Sequence, residues 1–254
     1  SGDTTTFPAG TFLITATQLI PNGCTVSSAA GAILKGTFQP LLQTVANSAA
    51  NVTLSGMTLD GGGILIRAGS FATAADNILI TSNTFQNIIR TPSLSPGNLT
   101  VGVYAPFMKN STISSNIFLR IYDGSTILPY DPNNIPASPS DYPASSEVCA
   151  AVWVFDSDNV TITANTFGQS GNYANGTCQA LHYTAHEVGH IGVYITNNTM
   201  YYVTRYGLEI QGEFGMDTVI VSGNYYAQPA VHVNGQAAIS LAVGGQNHQI
   251  LNNS

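Results

Sequence analysis

The sequence contains very little charge, and this scarcity excludes several classes of function. Only 7% of its 254 residues are charged, far below the roughly 25% of ordinary soluble domains. Six residues are basic and 13 are acidic, which gives a net charge of −7. Because a nucleic-acid site needs clustered Lys and Arg to neutralise phosphates, we expect no nucleic-acid partner. The same scarcity weakens the case for a strongly polyanionic glycan.

Long apolar runs and an initiating Met are missing as well. No stretch of the chain is apolar for long enough to span a bilayer, so we expect no transmembrane helix. The chain begins at Ser1 without Met and without the apolar segment of a signal peptide. We therefore interpret its start as a trimmed or tag-derived end, with any signal peptide removed or outside the sequence.

One short pattern recurs along the whole chain. Residues 159–167 alternate Val160 and Ile162 with threonines and then close on an Asn, a Thr and an aromatic residue. Such alternation places the two apolar side chains on one face of a strand. Full or weaker copies occupy residues 51–57, 77–85, 110–118, 192–200, 218–226 and 248–253. Since the chain stops inside the last copy, we expect the natural protein to continue beyond it.

The spacing of these copies predicts a solenoid. Each copy closes on an Asn, with Met57 in the equivalent place of the first, and successive closing positions lie 26 to 49 residues apart. Periods of this size indicate stacked units that cannot bury their apolar faces alone. Asn also tolerates the left-handed backbone of a sharp turn, and identical amides can bond from coil to coil. We expect an amide ladder of the closing residues Asn83, Asn116, Asn165, Asn198, Asn224 and Asn253.

This pattern resembles the right-handed parallel β-helix proteins, the pectate-lyase-like (pectin lyase-like) superfamily of polysaccharide lyases, some glycosidases and phage tailspikes. The resemblance covers residues 7–254 and implies one all-β, single-stranded solenoid domain of about 7–9 coils. Residues 7–50 would form the N-terminal starting coil and a cap, with a short helix or cap within 37–50. The chain has neither the Asp-Asp and Gly-His-Gly motifs of polygalacturonases nor the Arg-X-Pro-X-X-Arg of pectate lyases.

A second strand precedes the closing strand in each later coil, and its outward residues are the best functional pointer. Stacking at about 4.8 Å per coil would bring them together in columns. Unlike the Thr, Ser and Asn of the closing strands, this face mixes aromatic, basic and acidic residues. We predict that it contacts sugar through Trp153, Tyr104, Arg67, Arg205, Tyr206 and Gln211.

Trp153 is the only tryptophan, and an exposed indole commonly stacks on a sugar ring. The alternative is a register slip of one residue, which would turn this side chain into the core.

Glu209 is the leading catalytic candidate. A carboxylate held outward on a rigid strand beside aromatic residues suits a general acid or nucleophile. Asp156 could be the second carboxylate of a glycoside hydrolase, or bind calcium together with Asp158. The alternatives are a solvated strand residue for Glu209 and a turn former for Asp158.

His182 and Arg205 support a second chemistry. They resemble the base and the carboxylate-binding Arg that a polysaccharide lyase needs. Residues 186–190 also match the His-Glu-X-X-His pattern of zinc proteases, but they lie between two predicted strands rather than on a helix. We therefore favour a surface turn at His186 and His190, and we predict no metal site there.

Two further features concern the coil around Trp153. The 49-residue step contains an insertion, residues 122–148, which is rich in Pro, Ser, Asp and Tyr and could wall a groove. Cys149 and Cys178 lie 29 residues apart, about one repeat, so we predict a disulfide between adjacent coils and a free, buried Cys24. A disulfide favours a location outside the cytoplasm.

From the sequence we therefore expect a secreted, cell-surface or virion-surface protein that acts on or binds a polysaccharide. A glycoside hydrolase with Glu209 and Asp156 is favoured because acidic residues outnumber basic ones. A lyase with His182 or a Tyr as base is the second enzyme, and a tailspike-like or adhesin-like binding module is the non-enzymatic alternative. We expect no cofactor, calcium apart, and either a monomer or a homotrimer.

Overall fold

The computed structural model describes residues 2–29, 31–37, 40–45, 47–89, 100–122, 149–172, 175–186, 189–203, 206–212, 215–227 and 238–254. Within them the chain forms 25 strands and one short 3₁₀ helix, Phe71–Thr73. Each strand pairs in parallel with the strand three further along the chain, so the strands stack into three sheets.

Sheet 1 has nine strands and contains the closing strands of the repeat. In stacking order they are β1 (Thr4–Phe7), β4 (Thr25–Ser28), β7 (Ala50–Ser55), β10 (Ala75–Thr81), β13 (Met108–Ser114), β16 (Asp158–Thr163), β19 (His190–Thr196), β22 (Met216–Ser222) and β25 (Gln249–Leu251).

Sheet 2 has eight strands and follows sheet 1 within each coil. Its strands are β2 (Gly10–Leu13), β5 (Ala32–Lys35), β8 (Thr58–Asp60), β11 (Thr84–Ile89), β14 (Ile117–Tyr122), β17 (Thr166–Phe167), β20 (Thr199–Tyr201) and β23 (Tyr225–Ala227).

Sheet 3 also has eight strands and contains the second strand of each repeat. Its strands are β3 (Gln18–Ile20), β6 (Leu42–Thr44), β9 (Ile64–Leu65), β12 (Thr100–Pro106), β15 (Cys149–Phe155), β18 (Leu181–Ala185), β21 (Leu208–Gly212) and β24 (Ile239–Val243).

The apolar columns of the sequence form one continuous core between the three sheets. Ile80, Ile113 and Ile162 pair in register along sheet 1, and all three are fully buried. In sheet 2, the rings of Phe85, Phe118 and Phe167 stack nearly parallel with their centroids 4.8 and 5.0 Å apart. Each coil therefore buries its apolar residues against like residues of its neighbours, as the repeat predicts.

The closing asparagines form the predicted amide ladder. From Asn83 to Asn224, each side-chain Nδ2 donates to the Oδ1 of the next closing Asn at 2.9 to 3.2 Å. The same Oδ1 also accepts from the backbone N–H of the preceding closing Asn, as Asn165 Oδ1 does from Asn116 N at 3.0 Å. Because both amide groups are used, these buried side chains are well satisfied.

The left-handed backbone of the turn lies one residue earlier than the sequence suggested. Ser82, Ser115 and Ala164, each just before a closing Asn, have φ of 55° to 57°. The closing Asn keeps a conformation in which its amide points along the stack. Its role is therefore the ladder, and the strained turn position is taken by the residue before it.

Cys149 and Cys178 form a disulfide with their Cα atoms 5.9 Å apart, and Cys24 is free and buried. Residues 42–44, within the segment expected to hold a short helix or cap, form strand β6, and the described residues of 37–50 contain no helix. In the part of the chain that the structure describes, no helix has the length and hydropathy needed to cross a bilayer.

Candidate functional site

The outer face of sheet 3 places five of the predicted site residues, Tyr104, Trp153, His182, Glu209 and Gln211, in two columns. Alternation puts Val152 and Val154 in the core, where both are fully buried, so Trp153 between them points outward. The first outward column contains Leu65, Tyr104, Trp153, His182, Glu209 and Ser240 in register. The second contains Pro106, Phe155, Thr184, Gln211 and Ala242.

Aromatic rings cover the middle of this face. The ring of Tyr104 meets Trp153 edge-on at a centroid distance of 6.1 Å and Phe155 at 5.7 Å. Trp153 in turn packs 4.7 Å from the imidazole of His182. We call Tyr104, Trp153 and Phe155, which are all half-buried, the aromatic platform. Its exposed ring surface can accept the apolar face of a sugar.

Beside the platform, His182 and Glu209 form a buried imidazole–carboxylate pair. His182 Nδ1 lies 3.2 Å from Glu209 Oε2. His182 is 7% exposed and Glu209 only 3%, so this outward carboxylate is not the solvated residue that its strand position allowed. At such burial, water screens the interaction between the two groups only weakly.

Two glutamines hold Glu209 in place. Gln179 Nε2 donates to Glu209 Oε2 at 2.7 Å, and Gln211 Nε2 donates to Glu209 Oε1 at 2.6 Å. Amide donors favour the ionised form of a carboxylate. An ionised Glu209 places the imidazole proton on His182 Nδ1, so that Nε2 becomes an acceptor. Nε2 faces the Thr184 hydroxyl at 2.5 Å.

Two polar atoms around this pair have no hydrogen-bond partner among the described residues. They are the donor Trp153 Nε1 and the acceptor Gln179 Oε1, and both atoms are buried. A buried polar group without a partner costs about 1–3 kcal/mol, so native proteins usually satisfy it with water or a ligand. The site therefore offers one free donor and one free acceptor close to the imidazole.

Asp156 belongs to a second cluster, at the turn between sheets 3 and 1. Its carboxylate lies 3.5 Å from His186 Nδ1 and 3.4 Å from His190 Nε2. His190 is 1% exposed, and its Nδ1 also contacts Asp158 at 3.1 Å. Asp158 further accepts from the backbone N–H of Ile191 at 2.9 Å. These contacts join β15, β16 and β19, so the cluster stabilises a corner of the solenoid.

The architecture is shared with solved structures of low sequence identity. The surface adhesin PfbA of Streptococcus pneumoniae superposes with a TM-score of 0.57 at 15% identity, over 98% of this chain and 68% of that one. A second PfbA structure matches with a TM-score of 0.56, and this chain spans 64% of its length. The A-module of the Azotobacter vinelandii mannuronan C-5 epimerase AlgE4 gives 0.52 at 14% identity, over 99% and 68% of the two chains.

The chain is a right-handed parallel β-helix. No protein-family model matches it, and no curated protein matches its sequence significantly. At these identities the shared feature is the fold, so the chemistry of this β-helix has to be argued from its own residues.

The β-helix separates the two carboxylates that the sequence paired. Glu209 contacts His182, whereas Asp156 contacts His186 and His190. Asp156 follows Trp153 by three residues, and Trp153 lies two strands from Glu209 in register. With about 4.8 Å per strand and about 3.3 Å per residue, their backbones are roughly 14 Å apart.

The other predicted residues are spread over the face of the β-helix. Arg67 is exposed just after β9, and Tyr206 is half-buried just before β21. Arg205 and the insertion 123–148 lie outside the described residues, as do two residues of the His-Glu-X-X-His pattern. Its two histidines flank the end of β18 and the start of β19, not a helix. Within the described ranges, no group of three or more His, Cys, Asp or Glu could hold a metal ion.

Tyr104 is a poor base in this β-helix, because burial raises the pKa of its hydroxyl above the usual 10.0. The tyrosine of the core strand β18, Tyr183, donates to the Ser157 carbonyl, and burial raises its pKa as well. Of the base candidates named from the sequence, His182 therefore has the better geometry.

Sequence reasoning missed Gln179 and Thr184. Thr184 follows His182 by two residues on the same strand, so the period of the strand could have placed both on one face. Gln179 precedes its strand in a segment without regular alternation. No signal in the sequence indicated that its amide reaches Glu209.

Proposed function

We propose that this β-helix binds a polysaccharide along the outer face of sheet 3 and hydrolyses it at the Glu209–His182 pair. The pair is the observation that carries the proposal. It is a buried, hydrogen-bonded acid/base couple directly beside the aromatic platform, and Trp153 contacts both features. Burial and a specific charge partner are typical of ionisable side chains at catalytic sites.

Glu209 and His182 would not have the roles of the two carboxylates of a typical glycosidase. Inverting glycosidases separate their two carboxyl groups by about 6.5–9.5 Å, and retaining enzymes by about 5–5.5 Å. Here Glu209 pairs with His182, and Asp156 pairs with His186 and His190, so the two carboxylates belong to different clusters. We assign the proton transfers to His182: as the imidazolium it gives its Nε2 proton to the leaving oxygen, and the neutral Nε2 then takes one from the attacking water, while Glu209 orients the imidazole and stabilises its charged form. Asp156 then contributes to the stability of the corner.

Hydrolysis of a neutral glycan agrees best with the charges of this face. Elimination requires a uronic acid, whose carboxylate needs a nearby cation or several donors. In the described part of sheet 3, the cation on the outer face is Arg67, next to β9. Four strand spacings of about 4.8 Å separate β9 from β21, so Arg67 is roughly 19 Å from Glu209.

Elimination by a lyase remains the second candidate, for one reason. A single imidazole held by a carboxylate can remove a proton from a sugar carbon and return it to the leaving oxygen. The geometry of His182 fits that role, and the epimerase of similar fold is named for an action on mannuronan.

A glycan-binding module without catalysis is the alternative from a different class. The aromatic platform would suffice for it, and PfbA, of similar fold, is described as a surface adhesin. In each case we propose a secreted or surface-exposed protein.

The test is a panel of neutral and uronic-acid polysaccharides, assayed for new reducing ends and for the ultraviolet absorbance of unsaturated sugars. Glu209→Gln and His182→Gln remove the pair, and Ser240→Ala in the same column is the matched control. We expect reducing ends without the absorbance, lost in both pair variants and retained in the control.

Absorbance together with reducing ends would assign elimination instead. Binding without any cleavage of the panel would leave the adhesin-like module and refute the catalytic roles. A loss of cleavage in Ser240→Ala equal to that in Glu209→Gln would show that the face tolerates no change and that the pair has no special role.

A further inference from the structure

The Thr184 hydroxyl, which the proposed glycosidic cleavage does not use, completes a chain of three side chains with His182 and Glu209. Glu209 Oε2 lies 3.2 Å from His182 Nδ1, and His182 Nε2 lies 2.5 Å from Thr184 Oγ1. We propose that Thr184 is a nucleophile activated by His182, and that this face also removes ester-linked acyl groups from its glycan. The inference needs the glycan-binding face of the proposed function but not the cleavage of a glycosidic bond.

The order of the three groups is that of an activated hydroxyl. A hydroxyl becomes nucleophilic when an adjacent base accepts its proton and a third group orients that base. Here β21 provides the carboxylate and β18 provides both the imidazole and the hydroxyl. The two glutamine donors fix Glu209, so the imidazole has a defined orientation before any ligand binds.

The unpartnered atoms indicate what ligand would fit. Trp153 Nε1 is a buried donor that lacks an acceptor, on the ring that packs against His182. An ester carbonyl oxygen is an acceptor, and it gains negative charge when the carbonyl is attacked. Gln179 Oε1 is a buried acceptor that lacks a donor, which a sugar hydroxyl can supply. An O-acylated sugar offers both groups in one molecule.

The chemistry balances with water as the only co-reactant. Thr184 Oγ1 forms a bond to the acyl carbon while its proton passes to His182 Nε2. The bond between the acyl carbon and the sugar oxygen then breaks, and that oxygen takes the proton from Nε2. Water, deprotonated by the same imidazole, attacks the acyl-threonine, which releases the carboxylic acid and restores the Thr184 hydroxyl.

Thr184 is 6% exposed, and Gln211, its register partner on β21, is half-exposed, so the hydroxyl lies just below the surface of the face. A structural hydroxyl would also hydrogen-bond at this place, so the test must separate nucleophile from support. Thr184→Ser keeps the hydroxyl, whereas Thr184→Val keeps the shape and removes it. Thr196→Val, on sheet 1, is the matched control, because its hydroxyl donates to Thr163 at 2.8 Å.

The experiment incubates the whole chain and its variants with acetylated xylo-oligosaccharides and measures released acetate. Parallel samples are quenched with acid and digested, and the peptide containing Thr184 is weighed for an added acetyl group. We expect acetate release that falls by roughly 10²–10⁴-fold in Thr184→Val and His182→Gln. Thr184→Ser and Thr196→Val should retain it, and the acetylated peptide should appear in the wild type.

Acetate release that Thr184→Val leaves unchanged would overturn the inference, as would a wild type that releases no acetate and shows no acetylated peptide. If Thr184→Val does not fold, the acetylated peptide of the wild type decides alone. Cleavage of glycosidic bonds without acetate release would refute Thr184 as nucleophile and leave the proposed function intact. Acetate release without cleavage of glycosidic bonds would support Thr184 as nucleophile and refute the proposed hydrolysis.

Discussion

Two of the buried polar networks in the described residues are the asparagine ladder at the start of sheet 2 and the Glu209–His182 pair on sheet 3. In the ladder each coil from Asn83 to Asn253 contributes the same residue, and each amide both donates and accepts. In the pair each coil contributes a different residue, and Gln179 and Trp153 leave one polar atom each without a partner. Both networks are nearly inaccessible to water.

The difference teaches how to separate structure from function in a repeat protein. A polar residue that recurs in every coil is explained by the stacking itself, because each copy satisfies its neighbours. A polar residue that occurs once gains nothing from the repeat, and its burial must be explained by something else. On sheet 3 we propose that the explanation is a ligand site.

The largest effect we expect is on catalysis, and it tests whether the pair acts as a unit. Glu209→Gln and His182→Gln should each lower polysaccharide cleavage by roughly 10²–10⁴-fold. Because the carboxylate acts through the imidazole, the double variant should lose about as much as either single variant. Rates from initial reducing-end release complete the double-mutant cycle.

If the rate losses of the two single variants multiply in the double variant, Glu209 and His182 act independently. That result would contradict the proposal that the pair acts as one catalytic unit. Thermal unfolding of all three variants is the companion measurement. Cooperative melting like that of the wild type would confirm that the pair contributes little to the fold.

The next largest effect concerns the ladder. Asn165→Ala removes two donated bonds, to Asn198 and to the Ile113 carbonyl, and two accepted bonds from Asn116. With each orphaned buried group costing about 1–3 kcal/mol, we expect the free energy of unfolding to fall by about 3–4 kcal/mol. Urea titration followed by circular dichroism measures it.

Asn253→Ala is the matched control, since this closing residue is only half-buried. It should cost about 1 kcal/mol. Equal losses at the two positions would mean that burial along the stack does not determine the strength of the ladder.

A smaller effect is expected at the aromatic platform. Trp153→Ala removes the ring between Tyr104 and His182 and should weaken glycan binding roughly tenfold, or about 1.4 kcal/mol. Trp153→Phe keeps a ring and should lose less. Affinity by isothermal titration, with Glu209→Gln as the background so that no glycan is cleaved, would show it; unchanged affinity would remove the platform from the site.

The smallest effect is a loss of stability at high pH. Burial raises the pKa of Tyr122 from 10.0 to about 12. Between these values the unfolded chain has already lost the proton that the folded chain keeps, so the free energy of unfolding falls as pH rises above 10. Below pH 10 both states are protonated and nothing is lost. Asparagine side chains do not titrate, so the ladder does not contribute to the change of the free energy of unfolding with pH.

Tyr122→Phe tests that assignment, because urea midpoints of this variant should decline less steeply above pH 10 than those of the wild type. An identical decline would assign the effect to the other buried tyrosines, Tyr183 and Tyr226, whose pKa values burial also raises.

Much of the fold could be predicted because the same alternating pattern and closing Asn occur in coil after coil. The column of Leu54, Ile80 and Ile162 fixes one face of sheet 1, and a slip of one residue would expose it in every coil. The left-handed turn could not be placed as securely. The position before the closing residue is Gly or Asn in some coils, which favour the left-handed region, but Ser82, Ser115 and Ala164 hold it without that preference, so the column carries no uniform signal.

The site was less predictable, since its residues occur once. Alternation placed Trp153, His182 and Glu209 on the outer face, and the register joins them in one column. What alternation cannot give is burial by neighbours outside the strand. Gln179 reaches Glu209 from outside β18 and β21, and Asp156 turns toward His186 and His190 rather than toward Glu209.

The ladder also has a direction. From Asn83 to Asn224, each closing amide donates one proton to the Oδ1 of the next closing Asn and the other to a backbone carbonyl of the coil before it. Because each Oδ1 accepts from the preceding closing residue, the side-chain carbonyl dipoles all point the same way along the solenoid axis. The two ends of the stack are therefore electrically unlike, and a coil can join the row only with the matching polarity. Aspartate has the shape of asparagine and can accept from the preceding amide, so it could end such a row. It has no N–H to donate to the next coil, so it could not continue the row.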